Sequence, residues 1–224
     1  MIKVSTSKTF VSPEKMPDQM KSAMRASALS MSRRVLLRDI AVLALGSVPS
    51  FSFAQHGGLG LVSPPVRLDD IQLVDQTGRT RLLNDLLRQN VTALQTVYTG
   101  CGTVCPLQGS LFSAVQQRMA GLRVRRPVRL LSVGIDPLSD SPAALHAWLA
   151  RFDAGPAWNA ATPALTDVDH MRASLSGSTT PLGALADHAT QVYCFDANAM
   201  LRWRSADLPR VNDVCDVLGA LALT

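Results

Sequence analysis

The run from Val128 to Ile135 (VRLLSVGI) is almost continuously apolar. A strand that faces water on one side alternates apolar and polar residues, whereas one that is apolar throughout is covered on both faces, as in a sheet packed between helices. The segments around it supply the parts such a sheet needs. Val91 to Tyr98 (VTALQTVY) is strand-like, and Leu107, Leu111, Val115 and Met119 recur after it at helical spacing. Ser141-Pro142 opens a helix to about Phe152, with Ser141 as N-cap and Pro142 at the first position. A weaker helix is expected over Asp167 to Leu175. Two strands, Gln191 to Asp196 and Met200 to Arg204, flank the hairpin signal Ala197-Asn198-Ala199. Pro209 to Leu221 reads as a closing helix with Val211, Val214, Val217, Leu218 and Leu221 on one side. Upstream, Ile71 to Val74 alternates like a strand, Asp75 to Gly78 is a turn, and Leu82 to Leu87 is a short helical patch. This order predicts an α/β fold: a central mixed sheet flanked by helices, with a C-terminal hairpin and closing helix.

The charge is distributed unevenly. Residues 1–54 hold eight Lys/Arg against three acids, which is the whole of the chain's +5; the other 170 residues carry 14 of each sign. The body therefore offers no bulk electrostatic case for nucleic acid or an anionic membrane. Its one dense basic cluster, Arg123, Arg125, Arg126 and Arg129, reads as a solvated turn between a helix and a strand. Within residues 31–54 (MSRRVLLRDIAVLALGSVPSFSFA), basic residues precede a short apolar run from Ile40 to Val48 and a small-x-small pattern at Ser52-Phe53-Ala54. That is signal-peptide anatomy. Ser32-Arg33-Arg34-Val35-Leu36-Leu37-Arg38 resembles the twin-arginine export motif, with Leu36 and Arg38 where Phe and Lys are usual. A general secretory signal or an uncleaved anchor is the alternative. The expected organisation is an export leader over 1–54, a flexible lead-in over 55–66, and one domain over 67–224 that works in the periplasm or another extracytoplasmic space.

Four cysteines are present. Cys194 falls within the Tyr193-Cys194-Phe195 strand and Cys215 on the closing helix, and both are expected to be small core residues. Cys101 and Cys105 stand instead where a buried strand gives way to a helix. The free N–H groups and dipole of a helix N-terminus favour thiolates, and a spacing of four brings two sulfurs to one face if the turn is helical. Two soft thiolates suit Cu(I), with zinc the usual competitor; a fixed disulfide is the plainer alternative. Any third ligand has to come from elsewhere. His56 sits near the expected mature terminus, His146 and His170 read as surface residues of helices, and His188 immediately precedes the Gln191–Asp196 strand. The residues alone do not single out His188.

Three segments in order carry a resemblance: Val97-Tyr98-Thr99-Gly100-Cys101 with Cys105-Pro106, then Asp136-Pro137-Leu138-Ser139-Asp140-Ser141-Pro142, then Asp187-His188 before an apolar strand. Over about residues 65–205 the chain resembles the Sco/SenC family of copper chaperones for cytochrome c oxidase assembly. The resemblance implies a thioredoxin-like fold and one copper ion, Cu(I) or Cu(II), held by Cys101, Cys105 and His188. It implies a client copper protein, a cytochrome c oxidase subunit, and a thiol-reducing protein as partners, with membrane proximity through the client. The Asp136–Pro142 segment is expected to shape the loop after the buried strand, and Asp187 to orient His188. Gly102-Thr103 departs from the Pro-Asp common in the family, so an acid is missing beside the sulfurs. The alternative function is a thiol-disulfide oxidoreductase that keeps client cysteines reduced, with Cys101 as the attacking thiol. A peroxidase or redox sensor is weaker, because no Arg lies within Tyr98–Pro106; a disulfide-stapled binding domain is the plainest alternative.

Overall fold

The computed structural model describes residues 60–177 and 190–224. At its centre β4 (Val91–Val97) and β5 (Val128–Gly134) run parallel in unbroken register, from Val91 opposite Val128 to Val97 opposite Gly134. β6 (Trp158–Pro163) continues the parallel set beyond β5, and β7 (Val192–Phe195) lies antiparallel on the other side of β4. The hairpin partner β8 (Met200–Arg204) and β1 (Gly60–Arg67) extend that flank; β2 (Gln72–Asp75) and β3 (Thr80–Leu82) extend the other. The eight-stranded mixed sheet has the order β1-β8-β7-β4-β5-β6-β2-β3.

Among the described residues five α-helices cover its two faces. On one face, α2 (Cys105–Met119), α3 (Pro142–Arg151) and α5 (Val211–Ala222) bury Phe112, Trp148 and Leu218 against Val91, Ala93, Leu130 and Cys194. On the other, α1 (Leu83–Leu87) and α4 (Val168–Ser176) bury Leu87, Met171 and Leu175 against Leu94, Leu131, Val133 and Tyr193. Alternate residues of each central strand thus enter opposite cores. At about 1.5–3 kcal/mol per large buried side chain, it is this two-sided burial that fixes the central strands in register. No helix among the described residues is long and apolar enough to cross a membrane.

Most expected elements form within a residue or two of the positions read from sequence. Ser141 caps α3, its hydroxyl accepting from the Ala144 N–H at 3.3 Å. Arg123, Arg125 and Arg126 are exposed in the loop between α2 and β5. His146 and His170 are exposed, the latter 2.8 Å from Asp69. Two segments differ. The lead-in, expected to be flexible over 55–66, contains most of β1: Gly60 and Leu61, then Val66 and Arg67, pair antiparallel with β8, and Pro64 and Pro65 fall in the irregularity between them. Position at the sheet margin makes this feasible, because a strand there needs only one row of partners. Trp158–Pro163 forms a buried strand between β5 and β2 where no strand was expected.

Candidate metal centre

β4 delivers the chain to the end of the sheet at Val97, and α2 begins at Cys105. The seven intervening residues form a tight loop. Its first bend is closed by the Cys101 N–H donating to the Tyr98 carbonyl at 3.0 Å. The Tyr98 N–H donates in turn to Cys105 Sγ at 3.4 Å, which fastens the helix start to the strand end. Cys101 and Cys105 are free thiols near enough for each to act on the other's acidity. Cys101 lies nearer the surface, 8% exposed against 1% for Cys105.

The two sulfurs differ in acidity. Burial works against the Cys101 thiolate, but the Thr103 hydroxyl, the backbone N–H groups of Cys105 and Thr103, and the Cys105 thiol all donate to it. Together they lower it from 9.0 to about 6. The Thr103 hydroxyl stands 3.5 Å from Cys101 Sγ. Cys105 moves the other way. Burial first, then its hydrogen bond to Cys101 and the negative charges of Cys101 and Asp140, push it up to about 12 against the single Tyr98 N–H. The sequence reading expected both thiols to be lowered by the helix N-terminus. The structure corrects this for Cys105, whose place at the start of α2 is also deep in the core, where desolvation outweighs the helix dipole.

Asp140 is the residue that sequence reasoning did not single out. Its fully buried carboxylate accepts from the Thr99 N–H at 2.8 Å and the Thr99 hydroxyl at 2.6 Å through one oxygen, and from the Asp136 N–H at 2.9 Å through the other. It clasps the cysteine loop to the loop that follows β5. Gly134 leaves room for it: a Cβ there would lie 2.7 Å from Asp140 Oδ2. The signal in the sequence was the pair of acids at Asp136 and Asp140, within a segment expected only to shape the loop. Cys194 and Cys215 are buried in one core cluster as expected, and burial raises both thiols.

His188 and Asp187, like the leader over 1–54 and His56, lie outside the described residues. Among the described residues no group of three His, Cys, Asp or Glu side chains is arranged to hold a metal ion. Cys101 and Cys105 form a two-sulfur site. The chain that leads into β7 arrives beside it: β7 is antiparallel to β4 with Val192 opposite Gln95, so residues preceding Val192 run toward the end of β4 from which the cysteine loop departs.

A mixed sheet covered by helices on both faces, with a dithiol where a central strand passes into a helix, defines the thioredoxin-like class. Within that class the chain belongs to the SCO1/SenC family, whose profile matches residues 67–208. Among solved structures, a SCO1/SenC family lipoprotein from Bacillus anthracis superposes with a TM-score of 0.61 at 23% identity, over 72% of this chain and 99% of that one. BsSco, a member of the Sco family of cytochrome c oxidase assembly proteins with a disulfide switch, gives 0.59 at 16% identity, over 72% of this chain and 98% of its own. ScoI of Arabidopsis thaliana, with copper bound, gives 0.58 at 16% identity, over 69% and 97%. No curated protein sequence matches the chain.

Proposed function

We propose that this protein is an exported copper chaperone whose domain over 67–224 holds one copper ion through Cys101, Cys105 and His188 and passes it to a client copper protein. The observation that carries the reading is the pair of neighbouring free thiols between β4 and α2, one already favouring the thiolate. Two adjacent soft sulfurs suit Cu(I), and an imidazole completes a three-ligand site from which a client's thiolates can take the ion by stepwise exchange. The approach of β7 supports His188 as the third ligand: β7 is antiparallel to β4 with Val192 opposite Gln95, and His188 stands four residues before Val192 in the sequence. Asp187 would orient the imidazole. The copper carried by one structural relative and the oxidase-assembly role of another support copper as cargo and a cytochrome c oxidase subunit as client. Binding displaces the Cys105 proton, so it weakens as pH falls. The leader is read as a twin-arginine signal that delivers the domain outside the cytoplasm, a placement that cell fractionation tests directly.

Copper stoichiometry of the reduced protein under anaerobic conditions, beside Cys101→Ser, Cys105→Ser and His188→Ala, tests this. One copper per chain, lost or greatly weakened in each variant, is the expected result. A native protein that takes up no tight copper would overturn it.

The unequal acidity of the two thiols favours a second reading, thiol-disulfide exchange. The Cys101 thiolate attacks a client disulfide and releases one client thiolate, forming a mixed disulfide. Cys105 then gives up its proton and attacks Cys101, which releases the second client thiolate and leaves a Cys101–Cys105 disulfide for a reducing protein to reopen. His188→Ala separates the readings: exchange proceeds without the imidazole, whereas three-ligand copper binding does not.

A further inference from the structure

The basic loop between α2 and β5 has a feature that its sequence does not show. Beneath it lies a cavity of about 270 Å³, lined by Met119, Ala120, Val124, Val128, Leu130 and Pro156. The polar side chain at its wall, Gln116, has its amide turned to backbone, donating to the Asp153 carbonyl at 3.0 Å and accepting from the Gly155 N–H at 2.7 Å. The cavity therefore offers apolar surface and no free polar partner. Beside its lining residues Met119 and Val124 in the chain are Arg118, Arg123, Arg125 and Arg126, all exposed. None of these four has an ion pair among the described residues. Leu122, 48% exposed, projects from the same loop. The loop is held in place from behind, since the Arg125 and Arg126 N–H groups donate to the Ala222 carbonyl at 3.0 and 3.1 Å.

We propose that this loop and its cavity dock the domain on an anionic phospholipid surface, with Leu122 and an acyl segment meeting the apolar cavity and the arginines meeting headgroup phosphates. Charge complementarity selects the occupant: unpaired guanidinium groups over an apolar recess match a molecule that is anionic at one end and hydrocarbon at the other. The domain as a whole is balanced in charge and the part outside the patch is net acidic, so the patch gives it an orientation rather than a general basic character. α2 connects this end to the cysteines. Its 15 residues, at about 1.5 Å each, put roughly 22 Å of helix between the loop and the thiols. The inference is independent of whether the cysteines bind copper.

The test is amide hydrogen exchange of the full-length chain with vesicles of phosphatidylcholine alone or with about one third phosphatidylglycerol. Reading exchange by segment separates this loop from any binding through the leader. Amides of residues 119–128 are expected to slow only with the anionic vesicles. The effect should be lost in the exposed triple variant Arg123→Ser/Arg125→Ser/Arg126→Ser, with partitioning weakened about a hundredfold at about 1 kcal/mol per arginine. It should also be lost in Val124→Asp, which places a carboxylate at the cavity. Three results would overturn the proposal: protection unchanged in the triple variant, equal protection by both vesicle types, or no protection of this loop while the chain sediments with vesicles. Slowing by a soluble single-chain phosphatidylglycerol but not by vesicles would also count against it, since it would mark a free-ligand pocket.

Discussion

Thr103 stands where the family commonly has an acid, and the exchange changes what sits beside the sulfur. A carboxylate there would repel a thiolate; a hydroxyl at 3.5 Å from Cys101 Sγ donates to it. This single contact, with two backbone N–H groups and the Cys105 thiol, holds Cys101 near 6 while burial opposes it. Alkylation of the reduced native protein should therefore show one fast cysteine whose rate rises with a midpoint near pH 6. Cys105, pushed up to about 12, should stay silent through the neutral range. Thr103→Val should move the midpoint of Cys101 upward without altering the fold, read by mass spectrometry of the labelled peptide at a series of pH values. A midpoint unmoved by the substitution would assign the acidity to the backbone donors alone.

The loops at this end of the sheet are joined by the Asp140 carboxylate, so an element-scale property rests on one buried group. Asp140→Ala leaves the Thr99 N–H, the Thr99 hydroxyl and the Asp136 N–H without their acceptor. The expected loss of stability is about 3 kcal/mol in urea unfolding, and Asp140→Asn, which keeps an acceptor for Thr99, should lose about half of that. Which elements could be read from sequence follows from what their residues signal. β5 announces itself by an unbroken apolar run, β4 by its Val- and Thr-rich run, and α5 by apolar residues that recur on one side of a helix. β6 does not: Trp158-Asn159-Ala160-Ala161-Thr162-Pro163 is rich in alanine and flanked by Gly155-Pro156 and Pro163, which read as loop. Its strand character comes from neighbours on both sides, β5 and β2, which local propensity cannot see. β1 is hidden by its prolines, and its strand character comes from its one neighbour, β8. At the site, the spacing marked Cys101 and Cys105, and the junction of strand and helix marked their acidity. That the helix-start cysteine is the less acidic one depends on core depth, which no spacing encodes.

For the molecule as a whole, the two thiols shape stability in opposite directions across pH. Cys101 is lowered in the folded state, so its contribution is fully present above its ordinary 9.0 and is lost as pH falls through about 6. Cys105 is raised, so its contribution is fully present below 9.0 and is lost as pH climbs through about 12. Metal-free, reduced protein should therefore gain urea resistance between pH 6 and 9, and Cys101→Ser should flatten that rise; an unchanged slope in the variant would place its origin in other groups. The margins of the sheet carry a consequence of another kind. β1 has Pro64 and Pro65, which have no N–H to offer an incoming strand, and β3 is three exposed residues long with Arg81 at its middle. Both margins are therefore poor templates for an incoming strand, which works against edge-to-edge pairing of two copies of the domain.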